Sequence, residues 1–201
     1  MTASDPKRDE MSAPALQLAP DVADPSEPGH PGGDPVDRPA ADAEACLLSA
    51  LMQLREREQI AVILANVVPA DFDDAVHGAL YRIVAGMLGR GLPADFPMVA
   101  HEIDARPDTD AHHRVPLRRR LVRIVDATAY PERGAHYAKA VVAQSLRRST
   151  AIAGNALTEA AAGAIATDDL YAYMCELGRA QRDHHHRYAT LSTATGRGQD
   201  R

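Results

Sequence analysis

Tryptophan is missing from this chain of 201 residues, and aromatic residues together make up only 4% of it. A core must therefore be assembled mostly from Leu, Ile, Val, Met and Ala, a mixture that favours helices over sheets. Cysteine is limited to Cys46 and Cys175. Two are too few for a disulfide framework, and their spacing does not suit metal ligands. Both read as small buried side chains on helices in a reducing cytoplasm. No run approaches the roughly 18 uninterrupted apolar residues of a membrane span, and the polar N-terminus is not a signal peptide. The expectation is a soluble, cytoplasmic protein.

Phosphate-binding chemistry is missing as well. No glycine-rich loop ends in Gly-Lys-Ser/Thr, and Lys139, one of only two lysines, lies in a helical stretch. Neither G-x-S-x-G nor H-E-x-x-H occurs. The chain therefore offers no catalytic residue and no cofactor site, and is not expected to be an enzyme. His184, His185 and His186, like His112 and His113, are adjacent in sequence. Neighbouring helical residues point about 100° apart, so such runs do not close on one ion, and no metal site is assigned.

What is present divides sharply at residue 42. The chain carries a formal charge of −6, and all of it falls in the leader. Asp5, Asp9, Glu10, Asp21, Asp24, Glu27, Asp34, Asp37 and Asp42 face only Lys7, Arg8 and Arg38 there. Prolines at 6, 14, 20, 25, 28, 31, 35 and 39 accompany them. Such a segment cannot bury enough apolar surface to offset its ordering entropy, so residues 1–42 are expected to be a disordered acidic tail. The remainder is neutral, which is not the basic footprint of a dedicated DNA binder.

From Asp42 onward the apolar residues follow a helical period. Asp42 caps a helix to about Met52, with Leu47, Leu48 and Leu51 on its apolar face. A second helix from about Arg55 to Val68 ends at Pro69. Asp71 is expected to start a third, carrying Phe72, Val76, Leu80, Ile83, Val84 and Met87 and stopping at Gly89 and Gly91. Pro97 suits the first turn of a fourth, with Val99 and Ile103. Residues 105–113 read as a loop, and a fifth helix holds Leu117, Leu121, Ile124 and Val125. Pro131 opens a segment from Glu132 to Ala162, and a last helix runs from about Thr167 until it frays beyond Tyr188. The prediction is an all-α chain with a compact helical head over about 43–130 and an antiparallel helical hairpin over about 131–188. The helical domain ends near 190, and residues 189–201 form a disordered C-terminal tail.

The hairpin has more apolar surface than one partner helix covers. Val142, Leu146, Ala153, Leu157, Leu170 and Met174 are the candidate self-association residues, with small residues such as Ser149 and Ala160 permitting close approach. The competing arrangement folds this hairpin back onto its own head.

Order and spacing together resemble a known family. Glu44, Ala45, Leu47 and Leu48 form an opening helix; Asp71, Phe72, His77 and Tyr81 follow at helical spacing. Gly91, Pro93 and Asp95 then make a turn, and Tyr137, Ala138 and Arg148 mark the hairpin entry. This pattern is similar to the N-terminal domain of DnaB-type replicative DNA helicases, and the chain stops where such a helicase would begin its motor. One departure is ARPDTDAHHRVPLRRR, which stands where the family often has a Gly-Gly turn.

In those helicases the domain forms a collar of paired hairpins and a docking surface for primase or loader. The resemblance implies a non-catalytic, replication-associated interaction module that forms a homodimer or higher oligomer. Its implied partners are a replicative helicase, primase or loader. On the residues themselves, Phe72 and Tyr81 read as core anchors and His77 as a hydrogen-bonded packing histidine. The alternative is a nucleic-acid-binding accessory using the arginine-rich helix, with Arg118, Arg119, Arg123, Arg147 and Arg148 as contacts.

Overall fold

The computed structural model describes residues 42–106, 111–127, 129–163 and 165–197. Residues 1–41 of the expected acidic tail (1–42) lie outside these, as do residues 198–201. Seven α-helices are present and no strand occurs among the described residues. They are α1 (Ala43–Gln53), α2 (Arg57–Asn66), α3 (Ala75–Gly89), α4 (Phe96–Ala105), α5 (Ala111–Val125), α6 (Gly134–Ala162) and α7 (Thr167–Arg197). Short 3-10 turns at Pro69–Asp71 and Pro131–Arg133 lead into α3 and α6.

Helix α1 is the hub of the head. Asp42 caps it by accepting from the Glu44 and Ala45 amides. Its buried residues include Cys46, Leu47, Leu48, Ala50, Leu51 and Met52, a wrap wider than one amphipathic stripe. A helix apolar on most sides must be enclosed, and α3, α5 and α6 all pack against it. The core closes with Ile63 from α2, Leu80, Tyr81, Ile83, Val84 and Met87 from α3, Val99 and Ile103 from α4, and Leu117, Leu121 and Ile124 from α5. Phe72 and Tyr81 are the aromatic anchors, with ring centroids 5.0 Å apart. The buried Tyr81 hydroxyl donates to the Val67 carbonyl at 3.0 Å, and burial pushes its pKa well above the ordinary value.

Two glycines are fixed by geometry. Gly91 has φ of 71°, the left-handed region. Its N–H bonds the Leu88 carbonyl while the Leu92 N–H bonds Met87, closing α3 with a Schellman motif. At Gly78 a Cβ would meet the Pro69 carbonyl oxygen at 2.7 Å, so the 3-10 turn can lie against α3 only there.

Several expectations require correction. Helix α3 starts at Ala75 under Asp74, which accepts from the Val76 and His77 amides. Asp71 instead ends the 3-10 turn, because Pro69 starts a short turn that displaces the cap by three residues. Helix α5 begins at Ala111, so Pro116 lies inside it, and the loop expected to reach His113 is shorter. Val125 is exposed, because Leu117, Leu121 and Ile124 already define the inner face and Val125 lies off it.

The last helix does not fray at Tyr188. It continues to Arg197, and Leu191 is 0% exposed against the head. The supposed tail from 189 to 197 is therefore helix, held by packing that its polar composition does not advertise.

Candidate functional site

Helices α6 and α7 form the antiparallel hairpin, and its two ends behave differently. Near the head, Ala135, Ala138, Val141, Val142 and Ser145 of α6 are buried, as are Leu191 and Thr195 of α7. Beyond Ala153, no described residue of α6 is buried. The distal part instead exposes Tyr171 (65%), Met174 (47%) and Ile165, and Ile152 (68%) is exposed at mid-hairpin, just before Ala153. Lone exposed apolar residues are ordinary, but four along the outer half of one hairpin make a candidate contact surface.

The predicted self-association residues separate along the same line. Val142 is wholly enclosed by its own head and Ala153 is buried, so neither is available to a partner. Val142 lies in the first half of α6, where α1 covers the helix. Leu146, Leu157 and Leu170 are half-buried, and Met174 is exposed. Ile152 widens the apolar stripe of α6 and is exposed, and Tyr171, off the face that carries Leu170 and Met174, is exposed as well.

A polar joint fixes the hairpin to the head. The Asp71 carboxylate is buried and accepts from the Val68 amide at 2.8 Å and the Ser145 hydroxyl at 2.9 Å. The Arg187 guanidinium grips it with both terminal nitrogens, at 2.5 and 3.1 Å, and also donates to the Asn66 carbonyl. Arg148 donates to the Asp71 carbonyl at 2.6 Å and pairs with Asp73 at 3.4 Å. One acid thus ties α6 and α7 to the turn before α3. His184 Nε2 lies 3.4 Å from Asp71 without a hydrogen bond. Burial and the Arg187 charge hold its pKa below the ordinary value, so its neutral form is favoured.

A second polar cluster joins α1, α3 and α5. His77 is buried, with Nδ1 2.9 Å from Glu44 and Nε2 3.0 Å from an Arg120 nitrogen. Arg120 can only donate, so Nε2 must carry the lone pair and Nδ1–H donates to Glu44. Burial raises the Glu44 carboxyl, but bonds from His77 and from the Asp73 and Asp74 amides outweigh that and lower its pKa. Asp42, Glu44 and His77 have donor atoms close enough to suggest a metal site. A metal would need the Nδ1 lone pair, which the tautomer selected by Arg120 does not offer. The cluster is a structural tie, and His77 has the packing role expected of it.

The arginine helix is only partly free. Arg118 pairs with Asp104 and Arg120 with Asp74, whereas Arg119 and Arg123 have no ion-pair partner among the described residues. Arg147 is exposed and Arg148 belongs to the joint. A shallow groove of about 570 Å³ runs beside α5, lined by Asp104, Arg114, Val115, Arg118, Arg119 and Val122.

Comparison with protein families matches residues 37–143 to the DnaB-like helicase N-terminal domain, more than half of the chain. The chain belongs to that family. The crystal structure of the N-terminal domain of DnaB helicase from Mycobacterium tuberculosis has a similar fold. It is 23% identical with a TM-score of 0.51, covering 72% of this chain and 94% of that one. A search of curated proteins found no match. The family match is to the non-catalytic N-terminal domain and ends inside α6, so the exposed hairpin tip lies beyond it. No helix among the described residues is long and apolar enough to cross a membrane.

Asp71 and Arg148 both belong to this family's pattern, but nothing in the sequence shows the joint they share. Arg187, 116 residues from Asp71, carried no local signal; it follows three histidines in a stretch read as near the frayed end.

Proposed function

We propose that this member of the DnaB-like helicase N-terminal domain family is a non-catalytic interaction module. Its hairpin associates with a second copy, or with a replicative helicase, primase or loader. The observation that supports this reading is the change along the hairpin. Its base is locked to the head through Asp71, while its outer half presents Ile152, Ile165, Tyr171 and Met174 to solvent. A rigid base lowers the entropy cost of presenting the tip, and apolar area buried there contributes about 25 cal/mol per Å².

The test is light scattering with size-exclusion across a wide concentration range, alone and with purified helicase, primase or loader. A dimer or mixed complex that Ile152→Asp with Met174→Asp dissociates, while circular dichroism stays unchanged, is the expected result. A monomer at every concentration that binds none of the three proteins overturns the proposal.

A further inference from the structure

Helix α5 carries a second surface, on the head and independent of the hairpin tip. Its sequence, AHHRVPLRRRLVRIV, holds five arginines and no acid. Leu117, Leu121 and Ile124 face the core, which leaves the opposite side to Val115, Arg119, Val122 and Arg123. Val115 is 57% exposed and Val122 54% exposed. Seven residues apart, they lie on one face about 10 Å apart along the axis.

Grooves flank this face on both sides. One contains Val115, Arg118, Arg119 and Val122; the other, about 300 Å³, contains Val76, Val115, Pro116, Arg119, Arg120 and Arg123. Val115 and Arg119 line both, so the two form one continuous surface centred on Arg119. Among the described residues Asp104 is the one acid lining either groove, and Arg118 already pairs with it.

We infer that this face docks an acidic segment of a partner protein bearing aliphatic side chains at helical spacing. Charge complementarity supplies the sign: among the described residues Arg119 and Arg123 have no acid paired to them, and an incoming carboxylate would find them ready to donate. The valines supply the class. A phosphate backbone gains nothing from exposed valines alternating with arginines, and α5 has no Phe, Tyr or Trp on which a base could stack. An amphipathic acidic helix satisfies both features, with aliphatic groups one and two turns apart in the grooves and carboxylates on the arginines.

Anisotropy titrations of the full chain at physiological salt test this with three labelled probes. The first is a peptide of about 15 residues rich in Asp and Glu, with Leu along one face. The second has equal charge and Ser in place of Leu; the third is a single-stranded oligothymidine of equal charge. Saturable binding of the Leu peptide, tighter than either other probe, is expected. It should weaken about tenfold with Val122→Asp and about tenfold with Arg119→Ala. Both positions are exposed, and unchanged circular dichroism shows that the variants fold. Equal binding of the Ser peptide reduces the face to a non-specific basic surface and overturns the proposal. Tighter binding of the oligonucleotide, with a steep salt dependence, assigns the face to nucleic acid and also overturns it. So does the absence of saturable binding, or indifference to both substitutions.

Discussion

The two ends of the hairpin are made from the same pair of helices, yet one is core and the other is surface. At the base, Ala138, Val141, Val142 and Leu191 are completely enclosed; farther out, Ile152 and Tyr171 are about two-thirds exposed. Apolar spacing does not separate them, because both ends repeat aliphatic residues at the helical period. The difference is what lies alongside. The base meets α1 and α2, and Asp71 reaches across to hold it; the tip extends past the head. An amphipathic face has no fate of its own until the fold supplies or withholds a neighbour.

The largest test of this contrast removes the joint. Asp71→Ala leaves the Arg187 guanidinium without its carboxylate in a half-buried site. A destabilisation of about 3 kcal/mol is expected in urea unfolding. Leu191→Ala is next: it empties a fully buried position in the segment read as a tail, at a cost of about 2.5 kcal/mol. A loss within about 0.5 kcal/mol for Leu191→Ala would return residues 189–197 to the surface. Gly78→Ala drives a methyl group against the Pro69 carbonyl and should cost about 2 kcal/mol by the same measurement.

Acid should loosen the base before it affects the tip. The ordinary pKa of His184 is 6.5, and the folded state holds it lower. As pH falls below 6.5, the unfolded chain takes up that proton first, so stability declines from there downward. Glu44 adds a later loss. Its carboxyl is held below the ordinary 4.5, so its contribution is intact above that value and disappears as pH falls through the lower folded one. Urea unfolding across pH should show both phases, and His184→Gln should flatten the first while sparing the second. The smallest effect on stability is expected at the tip. Ile152→Ser and Met174→Ser should change unfolding by no more than about 0.5 kcal/mol while weakening self-association.

Much of the head was legible from residues alone. Asp42 as a cap, the apolar runs of α1 and α3, Phe72 and Tyr81 as anchors, and the Gly91 turn are local features. Each depends on neighbours within a turn or two of helix. The failures share the opposite property. Asp71 looked like a cap because capping is a local habit of aspartate, but its strongest partner is Arg187, across most of the chain. Val142 looked available because the face of a single helix says nothing about which side the head will cover. Residues 189–197 looked like a tail because few of them are apolar, and one leucine and a buried threonine carry the packing.

The order of the amino acids determined that this protein is helical, which apolar faces its helices carry, and which family pattern it follows. Those properties arise from backbone propensity, capping and periodicity, which act over a few residues. Tertiary structure decided which half of the hairpin is enclosed, which arginines are already paired, and which tautomer His77 adopts. Each of those outcomes is set by groups brought together from distant positions, where burial removes water and leaves a polar side chain only the partners that the fold provides.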